Sequence, residues 1–149
     1  MSKIQKVLLT GKTHTTVAGG AKPGRHDKVN LNLTASPRGS APDHAFENIA
    51  AHPTAEQLFA GAWSACYTGA LDLAAQSLKV SLPADLAVDI EVDLGLAGSE
   101  YLLQARLNVS LPGLDAETAT AVAHAADKIC PYSKAVRGNI DVALNVITA

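Results

Sequence analysis

Cysteine is scarce in this chain, and the scarcity excludes a good deal. Only two are present, Cys66 and Cys130, with no Cys-x-x-Cys pair, so a thioredoxin-type motif is absent. Two isolated cysteines and five scattered histidines lack the ligand spacing of a zinc site, and no metal is expected. Gly19-Gly20 is not followed by Gly-Lys-Ser/Thr, which removes a phosphate loop and leaves a turn. Charge is also thin, at 17% of residues against the usual share of about a quarter. There is no basic run and the formal net charge is −2, so neither nucleic acid nor an anionic membrane is an expected partner. No purely apolar run reaches the roughly eighteen residues of a membrane span. Met1-Ser2-Lys3-Ile4-Gln5-Lys6 lacks the apolar core of a signal peptide, so the expected location is the cytoplasm. Static disulfides are rare there, which shifts the cysteine pair toward catalysis or plain burial.

What the chain does have is apolar surface, at 48% of its 149 residues, enough for one domain over residues 1–149. A chain of this size buries about two-thirds of its unfolded surface, and the low charged share reads as surface hidden in an oligomer. Lys6 to Val17 is rich in Val, Leu and Thr and reads as a strand. Gly19 to Gly24 is a turn, and Val29, Leu31 and Leu33 alternate with Asn30 and Asn32 in a second strand. Ser36 to Pro53 reads as loop. Thr54-x-x-Gln57 is a capping box opening a helix that is apolar nearly all round from Leu58 to Leu78. One short chain cannot surround such a helix, and its small residues (Ala60, Gly61, Ala62, Ser64, Ala65, Gly69, Ala70) let another backbone approach; a second subunit is inferred.

Val88 to Leu96 and Leu103 to Leu111 alternate about a turn at Gly98-Ser99, which predicts a β-hairpin with one wet face. Asp115 caps a second helix running to about Cys130, where Pro131 disfavours simple continuation. Gly138 is a stop and Ile140 to Ile147 a last strand. No internal repeat is present. The order of elements argues an α+β fold rather than a βαβ one.

A cysteine attacks as its thiolate, and at an unperturbed pKa of about 8.5 only a few per cent is ionised at neutral pH. Burial worsens this. Cys66 is therefore useful only beside a cation, since lowering its pKa by about two units takes about 2.7 kcal/mol, within reach of one close arginine. A carboxylate such as Glu56 would hold that arginine. On one straight helix, however, Glu56 and Cys66 are separated by about 15 Å of rise, too far to share it. Either the helix breaks near Gly61 or a partner subunit supplies part of the set. The plain alternatives are an inert core Cys66 and Cys130, Trp63 and Tyr67 as core residues, Glu56 as an ordinary first-turn carboxylate, and His14, His26, His44, His52 and His124 as surface or capping residues. A dimeric protein binding a hydrophobic ligand, with Cys66 merely lining a cavity, and a redox sensor are the alternative functions.

Several segments carry a resemblance: Glu56-Gln57-Leu58-Phe59-Ala60 with Ser64-Ala65-Cys66, Leu111-Pro112-Gly113-Leu114, Cys130-Pro131-Tyr132-Ser133-Lys134-Ala135, and Arg137-Gly138-Asn139-Ile140-Asp141-Val142. From about Pro53 onward the chain resembles the organic hydroperoxide resistance proteins of the OsmC-like family. Tyr132, Arg137 and Asn139 look more like that branch than the OsmC branch. The resemblance implies an intertwined homodimer, with antiparallel sheets wrapped around two central buried helices, acting as a thiol peroxidase on organic hydroperoxides. It implies Cys66 as the peroxidatic cysteine, Cys130 as the resolving one, Glu56 as the family's glutamate, no cofactor, and a lipoylated protein as dithiol reductant. Two departures stand out. His52-Pro53-Thr54-Ala55 replaces Gly-Thr-Asn-Pro, and the arginine that follows a Gly-Gly pair in the family is displaced, Gly19-Gly20 being followed by Ala21. The arginine role is assigned to Arg25, with Arg38 as runner-up. Phe59 and Trp63 are assigned to an apolar mouth for alkyl or fatty-acid hydroperoxides.

Overall fold

The computed structural model describes residues 2–17, 29–32 and 53–149. In chain order its elements are β1 (Lys6–Val17), β2 (Val29–Asn32), α1 (Ala55–Leu78), β3 (Ala87–Ala97), β4 (Glu100–Ser110), α2 (Ala116–Ile129), α3 (Pro131–Val136) and β5 (Asp141–Ile147). The strands form one sheet in the order β2-β1-β3-β4-β5. The expected turn at Gly19–Gly24, the loop from Ser36 and Leu33 lie outside the described residues.

The period-2 pattern decides which side of the sheet carries the helices. Val88, Ile90 and Val92 of β3, Ala105, Leu107 and Val109 of β4, and Leu9, Thr13 and Thr15 of β1 are buried. Removing each such Val, Ile or Leu from water contributes about 1.5–3 kcal/mol. The opposite face carries a polar ladder in which Arg106 binds Asp93 through two nitrogens at 2.6 and 2.9 Å and Glu91 through Nε at 2.7 Å. Gly98 closes the hairpin with a φ of 62°, a conformation that costs glycine little.

β5 lies parallel to β4, in register from Gln104↔Asp141 to Ser110↔Ile147, whereas the other described pairs are antiparallel. The α+β reading holds, and the C-terminal third adds one β-helix-β crossover to it. Alternation in Val142, Leu144 and Val146 shows a half-buried strand but not its direction; direction follows from the crossover through α2 and α3.

α1 begins as the capping box predicts. Gln57 N–H donates to Thr54 Oγ1 at 3.1 Å, and Thr54 N–H donates to Gln57 Oε1 at 2.9 Å. The helix runs unbroken through Gly61 to Leu78, so the first alternative for joining Glu56 to Cys66 fails. One of its faces packs Ala60, Trp63, Tyr67, Leu71 and Ala74 into the core. The other is open among the described residues: Leu58 is 55% and Leu73 51% exposed, and a Cβ on Gly69 would meet nothing within 4 Å.

Asp115 Oδ1 accepts from Thr118 N–H at 2.9 Å and starts α2, whose Ala119, Val122, Ala123 and Ala126 are buried. Pro131 then forces Cys130 out of helical conformation, at ψ 119°, and opens α3 as its first residue. Cys130 therefore sits at a corner between two helices.

Candidate active site

That corner faces the middle of α1. The sulfurs of Cys66 and Cys130 are 3.3 Å apart in a weak S–H···S contact, and both thiols are free. A disulfide needs about 2.05 Å, so closure takes a movement of only about 1.3 Å. Cys66 is 3% exposed and Cys130 0%. Residues to either side of Cys66 bond to α3 and α2, the two helices that meet at this corner. Trp63 Nε1–H donates to Ser133 Oγ at 3.0 Å, and Tyr67 O–H donates to the Ala123 carbonyl at 2.7 Å.

Burial pushes the Cys66 thiol up to about 11; the backbone N–H of Tyr132 bonds to the sulfur and opposes this, and the Cys130 sulfur reinforces it. Among the described residues no cation contributes. Arg25 and Arg38 lie outside the described residues. Glu56 is half-buried in the first turn of α1, against Gly11 of β1. With α1 unbroken, about 15 Å of helix rise separates it from Cys66.

The aromatic pair divides. Phe59 is partly buried and meets Trp63 edge-on, with ring centroids 6.0 Å apart at 74°. Trp63 is wholly buried and holds Ser133. The sequence offers it both to the core and to a substrate mouth; its ring lies in the core. The sequence marks Tyr67 only as a core residue and Ser133 only as part of the Cys130 motif; neither is given a role at the site. Their signal is spacing, Tyr67 following Cys66 directly and Ser133 one helical turn beyond Cys130. Thr15 Oγ1 and Ser64 Oγ, 2.7 Å apart and buried, join β1 to the same stretch of α1. His14 pairs with Asp89 on the outer sheet face and His124 is exposed, while His26, His44 and His52 lie outside the described residues. Among the described residues no cluster of His, Cys, Asp and Glu could hold a metal, and no helix is long and apolar enough to cross a membrane.

The class these features define is an α+β protein with a helix-borne thiol facing a second thiol at a helix corner. The family profile of OsmC-like proteins matches residues 47–145, and the chain belongs to the OsmC-like family. It is 32% identical to an organic hydroperoxide resistance protein of Xanthomonas axonopodis pv. citri over 146 residues, 98% of this chain and 99% of that one. It is 40% identical over 93 residues to an uncharacterised protein of Acinetobacter baylyi, a stretch covering 62% of this chain and 65% of the relative. Among solved structures, an organic hydroperoxide resistance protein from Elizabethkingia anophelis aligns with a TM-score of 0.61 at 28% identity, covering 98% of this chain and all of that one.

Proposed function

We propose that the protein is a cysteine-based thiol peroxidase that reduces organic hydroperoxides to alcohols, working as a cytoplasmic homodimer. The observation that carries this reading is the pair of free, buried sulfurs 3.3 Å apart. The names of the full-length relatives support the substrate class.

In the proposed cycle the Cys66 thiolate attacks the outer oxygen of the hydroperoxide. The O–O bond breaks, the alkoxide leaves and takes up a proton, and Cys66 becomes a sulfenic acid. Cys130 then displaces hydroxide from that sulfur, giving the disulfide and water. A dithiol, by the family resemblance a lipoylated protein, reopens the bond by exchange.

Burial holds Cys66 protonated, so the first step needs a cation that offsets desolvation and stabilises the charge developing on oxygen. Arg25 is assigned that role, with Arg38 as runner-up and Glu56 to hold the guanidinium. Because α1 is unbroken, a single chain cannot place Glu56 beside its own Cys66; the Glu56 of a second copy is assigned to each site. The exposed face of α1 at Leu58, Gly69 and Leu73, open among the described residues, supports that dimer. Phe59, with part of its ring accessible, is assigned to the apolar mouth that favours alkyl and fatty-acid hydroperoxides.

The test is consumption of tert-butyl and fatty-acid hydroperoxides with dihydrolipoamide as reductant. Catalytic turnover is expected from the native protein and none above background from Cys66→Ser. Native-level turnover by that variant overturns the reading.

A further inference from the structure

Cys66 occupies the middle of a three-point contact of α1 with α2 and with the α2–α3 corner. Trp63, one turn before it, binds Ser133, three residues beyond Cys130; Tyr67, next to Cys66 in sequence, binds the carbonyl of Ala123, seven residues before Cys130. Both bonds are buried: Trp63 and Tyr67 are 0% exposed and Ser133 2%. Neither bond is required by the fold's apolar packing, because Phe in place of Tyr67, or Ala in place of Ser133, would keep the buried carbon skeleton. In a buried setting a lost partner leaves a donor or acceptor unsatisfied, so each bond strongly favours a single placement of the corner. The sulfur separation lies between these two ties.

We propose that Trp63–Ser133 and Tyr67–Ala123 form a two-point clamp that positions Cys130 for disulfide closure, making Trp63, Tyr67 and Ser133 positioning residues for the second half of the cycle. The inference rests on the peroxidase reading only for the origin of the oxidised sulfur. In the step itself, the Cys130 sulfur donates an electron pair to the Cys66 sulfur, the S–O bond of the sulfenic acid breaks, and the departing hydroxide takes the Cys130 proton to form water. Small displacements of reacting atoms change such steps steeply. A loosened corner leaves the sulfenic acid waiting, open to a second hydroperoxide that carries it to sulfinic acid.

The experiment compares native protein, Tyr67→Phe, Ser133→Ala and the double variant, with Asp115→Ala as a control that weakens the α2 cap away from the corner. Stopped-flow mixing with tert-butyl hydroperoxide separates sulfenic acid formation from closure, and mass spectrometry counts sulfinic acid. The expected result is a first step within twofold of native in every variant. Closure should be about tenfold slower in the double variant, with more sulfinic acid at equal peroxide dose, and unchanged in Asp115→Ala. Independently of any hydroperoxide, equilibration of the Cys66–Cys130 pair in a dithiothreitol redox buffer should shift about tenfold toward the dithiol in the double variant, or about 30 mV. Should the double variant fail to fold, the isosteric Tyr67→Phe carries the same comparison with a smaller expected shift. Native closure and a native redox equilibrium in folded variants overturn the clamp. A native protein that ignores hydroperoxide yet shows the redox-buffer shift overturns the peroxidase reading and leaves the clamp standing.

Discussion

Gly11 lies against Glu56 with no room for a side chain. A Cβ built there would stand 2.7 Å from the Glu56 Cβ and 2.5 Å from the Gln57 backbone nitrogen. The contact is strand backbone against the first turn of α1, so neither side can yield by turning a side chain. Gly11→Ala is expected to cost about 1–3 kcal/mol, as overpacking does, and to lower the melting temperature by about 2–4 °C for each kcal/mol. Thermal unfolding followed by circular dichroism measures this, and an unchanged midpoint would contradict the packing of β1 on α1.

Asp93 links the outer sheet face to pH. Burial pushes its carboxyl up, but hydrogen bonds from Arg106, Gln104 and Thr10 outweigh this and bring its pKa from 3.8 to about 2. A folded-state value below the unfolded one means that the unfolded chain binds more protons between the two. Stability from this group is therefore fully present above pH 4 and lost as pH falls toward 2. Asp93→Asn is expected to be less stable at neutral pH, because Arg106 loses its bidentate partner, and to show a shallower loss of stability across that acid window. Urea unfolding between pH 2 and 7 tests both.

The reactivity of Cys66 reports its cation. Without one, burial holds the thiol near 11. If Arg25 supplies it, native protein should be alkylated by iodoacetamide with a midpoint well below the ordinary cysteine value, and Arg25→Met should move that midpoint upward toward 11. Movement with Arg38→Met instead would reassign the role. No movement in either variant would dissolve the cysteine, arginine and glutamate set.

Oligomeric state tests the exposed face of α1 at Leu58, Gly69 and Leu73. Sedimentation is expected to give twice the 15.4 kDa chain mass. Gly69→Arg, placed in open space on one chain, and Leu73→Asp should both release monomers that retain helical circular dichroism. A native monomer would remove the second copy's Glu56 from the mechanism.

Much of the fold was legible because burial imprints itself on period. Val88, Ile90 and Val92 against Asp89, Glu91 and Asp93 announced β3 and its two faces, and Thr54 with Gln57 announced the start of α1. The strand direction of β5 was not legible, since alternation is the same both ways. Nor was the short α3: proline reads as a stop, yet Pro131 is a legitimate first helical residue and starts a new helix where α2 ends. Within the site both cysteines stood out by rarity. Their closeness is implied by the family resemblance alone, because it depends on how α2 docks on α1, which the Ala-rich face of α2 permits but does not encode. Trp63 illustrates the same limit: its apolar character was legible, its hydrogen-bonding partner was not.

The two thiols are 64 positions apart along the chain, with the second half of α1, the β3–β4 hairpin and α2 between them. Tying such a loop shut withdraws freedom from the unfolded polymer, an effect worth about 4 kcal/mol for that length in the chain-entropy account. If the proposed disulfide forms, oxidant exposure toughens the molecule. A sample's melting point would record how much of it had last met a peroxide and not yet a reductant.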